Sequence, residues 1–158
     1  MKKVLIIGYG DIGIRIAARL PKQEFLGVSR SASAALPNVE FIQHDWMNES
    51  KLIVPSMDFS TIVLILKPTS PDSDGYQRGF LDASYRMMDF FNKNLSYEKL
   101  LIVTSTRVYG LGNGRNITEA MKPLPDDEQA SIILEYEDFV TRESKIEPLI
   151  LRPSGLYD

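Results

Sequence analysis

The chain has 158 residues, 25% charged and 44% hydrophobic, with a formal net charge of -3. Its length and apolar content suit one ordinary domain with its own core. The absence of cysteine excludes a disulfide scaffold and a thiolate metal site, the excess of 21 acids over 18 bases argues against a nucleic-acid binder, and average glycine and proline contents exclude a fibrous or low-complexity chain.

Met1-Lys2-Lys3 is a basic start, but only Val4-Leu5-Ile6-Ile7 follows before Gly8. An export segment needs about 7–15 apolar residues. The longest apolar runs, such as Thr61 to Leu66, are the size of a strand rather than a membrane span. The expectation is a cytoplasmic protein with no membrane partner.

In chain order, Val4–Ile7 is a strand ending in glycines. A helix follows over Asp11–Leu20, with Ile12, Ile16 and Leu20 on one face and Pro21 as its stop. Strands follow at Phe25–Val28 and Val39–Ile42, and the segment after them has room only for a minor helix. Ile62–Leu66 is the next strand. A long helix is predicted over Gly75–Asn94, carrying Phe80, Leu81, Tyr85, Met88 and Phe91. Then come a strand at Leu100–Val103, a helix over Asp127–Thr141 with acids in its first turn, and a strand at Pro148–Leu151. The strands are continuously apolar, which suits a parallel sheet covered on both faces. The repeated alternation predicts one α/β domain over residues 1–158, a doubly wound parallel sheet of about six strands with helices on both faces.

Gly8-Tyr9-Gly10-Asp11-Ile12-Gly13 is G-x-G-x-x-G, directly after the first strand and opening the first helix. That context is the dinucleotide-binding one. Gly8 permits the tight turn, Gly10 lets a pyrophosphate approach the backbone, and Gly13 lets helix and strand pack closely. The helix N-terminus faces the anion. Asp11 is read as pointing away from it. About 20 residues on, where NAD binders carry an acid, the chain reads Val28-Ser29-Arg30-Ser31. An arginine between serines suits a 2′-phosphate, so NADP is expected ahead of NAD.

Thr104-Ser105-Thr106-Arg107-Val108-Tyr109-Gly110 resembles the S-S-x-x-V-Y-G segment of the NAD-dependent epimerase/dehydratase family, the extended and atypical short-chain dehydrogenases/reductases. Ile117-Thr118-Glu119 with Pro123 and Pro125, Leu151-Arg152-Pro153-Ser154-Gly155-Leu156-Tyr157, and His44-Asp45-Trp46 after the third strand resemble further elements of that family. The resemblance spans the chain. It implies the dinucleotide-binding fold named for Rossmann, adenine contacts from Asp45 and Trp46, a nicotinamide-side position for Lys67, and substrate orientation by Ser105.

The family also uses a tyrosine and a lysine four residues later. No tyrosine of this chain has lysine at that spacing. Aligned through Glu135, Asp127 stands at the tyrosine position and Ser131 at the lysine position. The family's chain also continues past the last matching segment into a substrate-binding portion, whereas this sequence ends at Asp158.

Of the remaining features, the lone His44 suggests no metal, and Asp126 to Glu128 with Glu135, Glu137 and Asp138 reads as a solvated charge run. Met87-Met88 with Phe90-Phe91 suggests spare apolar surface for a homodimer. Two readings stay open: an oxidoreductase or sugar-nucleotide-type epimerase acting on an unknown small molecule, and a non-catalytic NADP-binding sensor or scaffold.

Overall fold

The computed structural model describes residues 2–33, 36–48, 52–110 and 116–154. Gly155–Tyr157 of the last family-like segment lie outside the described residues. Six strands form one sheet: β1 (Val4–Ile7), β2 (Phe25–Ser29), β3 (Val39–Gln43), β4 (Asp58–Leu64), β5 (Ser96–Val103) and β6 (Leu149–Leu151). Their spatial order is β3-β2-β1-β4-β5-β6, and every pairing is parallel. This is the doubly wound arrangement, whose switch point lies between β1 and β4.

Alternation along the strands divides the core in two. Leu5, Ile7, Leu26, Val28, Ile62, Leu64, Leu100 and Ile102 face one way. They pack under α3 (Ala83–Asn94) and α4 (Glu128–Glu143) through Met87, Met88, Phe91, Ile132, Ile133, Tyr136 and Val140. Ile6, Phe25 and Val63 face the other way with Ala17 of α1 (Asp11–Arg19). Helices therefore cover both faces. On β6, Leu149 and Leu151 remain 60% and 45% exposed beside Leu101 and Val103.

The helix ends follow local chemistry. Asp127 Oδ1 accepts from the Ala130 N–H at 2.7 Å and caps α4. Asn38 donates its amide to the carbonyls of Ala17, Leu20 and Gln23, closing the end of α1 ahead of Pro21. The long helix expected over Gly75–Asn94 is three pieces. It starts as α2 (Ser73–Tyr76), capped by Asp72, widens into a π turn over Gln77–Asp82, and continues as α3. After β3 the described residues hold only a turn, not the expected minor helix. Met87, Met88 and Phe91 are at most 3% exposed, so α3 spends most of its apolar residues on its own sheet.

Asp127 carries a pH prediction. The Ala130 N–H holds its carboxyl below the ordinary value. Partial burial opposes this, and the Arg107 guanidinium reinforces it. A depressed carboxyl stabilises the fold above its unfolded value, near 4, and this is lost as pH falls through the folded value. Asp127→Asn keeps a capping side chain but removes the charge. Its stability is expected below wild type at pH 7, by about 1 kcal/mol or less because the Arg107 pair is half exposed, and thermal melts read this as a lower melting temperature. The gap should narrow steadily as pH falls below about 4, and a gap unchanged between pH 7 and the acid end of the folded range would refute the account.

Candidate dinucleotide site

A cleft of about 860 Å³ opens at the carboxyl ends of the strands. Its floor is the loop between β1 and α1. The Gly8 and Tyr9 N–H groups both donate to Val28 O at 2.9 Å, and Gly10 N–H donates to Gly8 O at 2.8 Å. Gly8 has φ +85°, and a Cβ there would lie 2.0 Å from Ile65 O. Only glycine fits. Gly10 differs: a Cβ built on it meets nothing nearer than Gly8 O at 4.0 Å. Its open side borders the cleft, as do Asp11 and Ile12. Among the described residues no side-chain cap bond is made at the start of α1, where the first N–H groups of a helix lack an intrahelical partner.

Tyr9 borders the cleft, but its ring is fully buried. It is wedged between Gly13 and Gly27, where added Cβ atoms would lie 2.9 and 2.6 Å from it, and it packs against Phe41. Gly13 thus serves the loop from behind and does not line the cleft. The Asp11 carboxylate is 3.0 Å from Arg15 Nε, one turn along the helix.

Beyond β2, Ser29, Arg30 and Ser31 line one end of the cleft, with Ser33 beside them. Ser29 Oγ is committed to Ser31 O at 2.6 Å. The Arg30 Cζ lies 5.8 Å from the centroid of the Trp46 ring. Trp46 is 7% exposed and belongs to the core as well as to the cleft wall. Asp45 accepts from the Met47 N–H at 3.0 Å and from the Asn48 amide at 2.7 Å, fixing the turn after it. Partial burial pushes its carboxyl up, but those two donors and the Arg30 charge outweigh it and hold it below the ordinary value.

Across β1, the other end of the cleft is formed by Ile65, Leu66 and Lys67 after β4, Val103 to Ser105 after β5, and Pro153 and Ser154 after β6. Among the described residues Lys67 makes no hydrogen bond or ion pair. Ser105 Oγ accepts from the Arg107 N–H at 3.1 Å and caps a 3₁₀ turn over Thr106–Tyr109. The structure thus brings every sequence-predicted site residue except Gly13 onto one cleft.

Searches of family models and of curated proteins find no match. Solved structures do match. A UDP-glucuronic acid 4-epimerase from Bacillus cereus, in complex with NAD, aligns with a TM-score of 0.75 at 17% identity, over 98% of this chain and 57% of the other. A putative NAD-dependent epimerase/dehydratase from Methylobacillus flagellatus gives 0.72 at 22% identity, over 99% and 55%. A UDP-N-acetylglucosamine 4-epimerase from Methanobrevibacter ruminantium gives 0.71 at 18%, over 96% and 54%.

This chain shares the doubly wound fold of these three structures. It spans about half the length of the solved structures it matches.

Within that fold, the positions aligned with the tyrosine and lysine serve local structure. Asp127 caps α4 and holds Arg107, with its Oδ2 receiving Nη2 at 2.9 Å. Ser131 Oγ donates to Asp127 O at 2.9 Å, inside the helix. Glu135 is exposed. Glu137, read from the sequence as part of a solvated run, is instead buried and ion-paired with Arg152. Its spacing carried the signal: it lies four residues after Ile133 and three before Val140, on the apolar face. Thr104, Pro153 and Ser154 also border the cleft without a site role read from the sequence, as does Thr69 of the polar loop after β4.

Proposed function

We propose that the chain binds a nicotinamide dinucleotide along this cleft, NADP ahead of NAD. The observation that carries the reading is Gly10. Among the described residues no atom explains the need for glycine there, while Gly10 borders the cleft at the start of α1. A pyrophosphate at that point accounts for both features. Arg30 and Ser31 at the end of β2, with no acid in the place an NAD-specific site uses, favour a 2′-phosphate. NAD in a solved neighbour supports the cofactor class. Asp45 and Trp46 then serve the adenine, and Lys67 and Ser105 the nicotinamide side.

When bound, the nicotinamide supplies or accepts a hydride. On this reading Ser105 holds the substrate's hydroxyl or carbonyl in a small molecule of the sugar-nucleotide type that the named epimerases use. A second reading, a cytoplasmic NADP-binding sensor or scaffold without turnover, is favoured by the structural roles of Asp127 and Ser131.

Calorimetric titration tests the nucleotide site. NADPH is expected to bind more tightly than NADH. Arg30→Ala should weaken NADPH about tenfold and leave NADH within twofold, the size expected for losing one charge-assisted contact. Equal loss for both nucleotides would remove the 2′-phosphate assignment.

A further inference from the structure

Glu137 lies on the sheet-facing side of α4, and its side chain is 1% exposed. A carboxylate so placed is stable only with partners. Thr104 Oγ1 donates to its Oε1 at 2.6 Å. Arg152 Nε donates to both oxygens at 3.1 and 3.2 Å, and Arg152 Nη2 to Oε2 at 2.7 Å. The remaining arm of the guanidinium, Nη1, donates to Tyr109 Oη at 2.7 Å, and the group lies 5.1 Å from the centroid of that ring.

One buried carboxylate therefore joins the end of β5, the 3₁₀ turn after it and the residue after β6. Main-chain bonds close the same unit: Thr104 N–H to Leu151 O at 2.8 Å, and Thr106 N–H to Pro153 O at 3.2 Å. Thr104, Ser105, Pro153 and Ser154 all border the cleft. The strand order puts this wall on the side of β1 opposite Arg30 and Asp45. With the pyrophosphate at α1 and the adenosine ribose at the end of β2, the other half of the dinucleotide lies against it.

Resting on the dinucleotide reading above, we infer that Glu137 is a positioning residue for the nicotinamide-side wall, acting through Thr104 and Arg152. It touches no ligand. A guanidinium gripped at two edges cannot rotate, and a hydroxyl pinned to a fixed carboxylate cannot turn away. Ser105 and Ser154 thereby keep a set distance from the glycine loop. An apolar pair could hold the elements together as firmly without fixing those directions.

The test separates the two halves of the ligand. NADPH and its adenosine half, 2′,5′-ADP, are titrated against wild type, Glu137→Gln and Thr104→Val; NADH and ADP replace them if wild type prefers NAD. Glu137→Gln keeps the size and loses the charge. Thr104→Val removes one hydroxyl and serves if the first variant does not fold, as judged by near-ultraviolet circular dichroism. The expected result is a loss of about tenfold in the affinity that NADPH has beyond 2′,5′-ADP, with 2′,5′-ADP itself within twofold of wild type. Equal weakening of both ligands means a general structural role and overturns the inference, as does no weakening of either. Failure of wild type to bind either nucleotide refutes the dinucleotide reading and the inference with it, and is told apart because the unmutated protein fails.

Discussion

Gly10→Val is expected to cut dinucleotide affinity by at least about 100-fold, some 2.7 kcal/mol, while the protein still folds. The backbone at Gly10 has φ -115°, outside the left-handed region, and among the described residues no atom crowds its Cβ position. A side chain there occupies the space into which a pyrophosphate must come. The neighbouring glycine gives the contrast. Gly8→Ala must fit a methyl 2.0 Å from a backbone oxygen at φ +85°. It should lose about 3 kcal/mol or more and about 10 °C of melting temperature. Calorimetry with thermal melts reads both variants. Full binding by Gly10→Val would mean that no phosphate approaches the loop.

Glu137→Leu is expected to cost about 3 kcal/mol in urea unfolding, because it strands Arg152 without its partner. The low end of the range for breaking a buried pair applies, since the Arg152 side chain is 21% exposed. Adding Arg152→Met removes the stranded charge. The double variant should return to within about 1 kcal/mol of wild type. If both single changes and the double change cost nothing, the ion pair has no part in stability.

Much of this fold is legible in the sequence. The strands were legible because both sheet faces are covered, so their runs are apolar without a break. Val4–Ile7 matches residue for residue. β5 reaches farther, from Ser96, and its first four residues are exposed or only partly buried, so no apolar run marks them. The glycine loop was legible because its chemistry is local, six residues between one strand and one helix.

Contacts across the sheet were harder to read. Glu137 looked like one acid among several, since its partner is Arg152, beyond the next strand. Only its helical spacing set it apart from Glu135 and Asp138. Ser29 was placed on the cleft, but its hydroxyl turns back to Ser31 O, a choice set by the loop's backbone. The π turn at Gln77–Asp82 left no mark in a pattern that reads as one long helix.

The Tyr9 wedge has a consequence for how a ligand would arrive. Its ring is locked between Gly13 and Gly27, and the main chain on either side of it is tied to Val28 and Gly8. The glycine loop is thus ordered by the core, and its conformational entropy is lost when the chain folds, so a nucleotide docking there would not have to order it. Association then does not wait on the loop. Its rate is set by diffusion, by the charge at the cleft and by whatever freedom the nucleotide itself gives up.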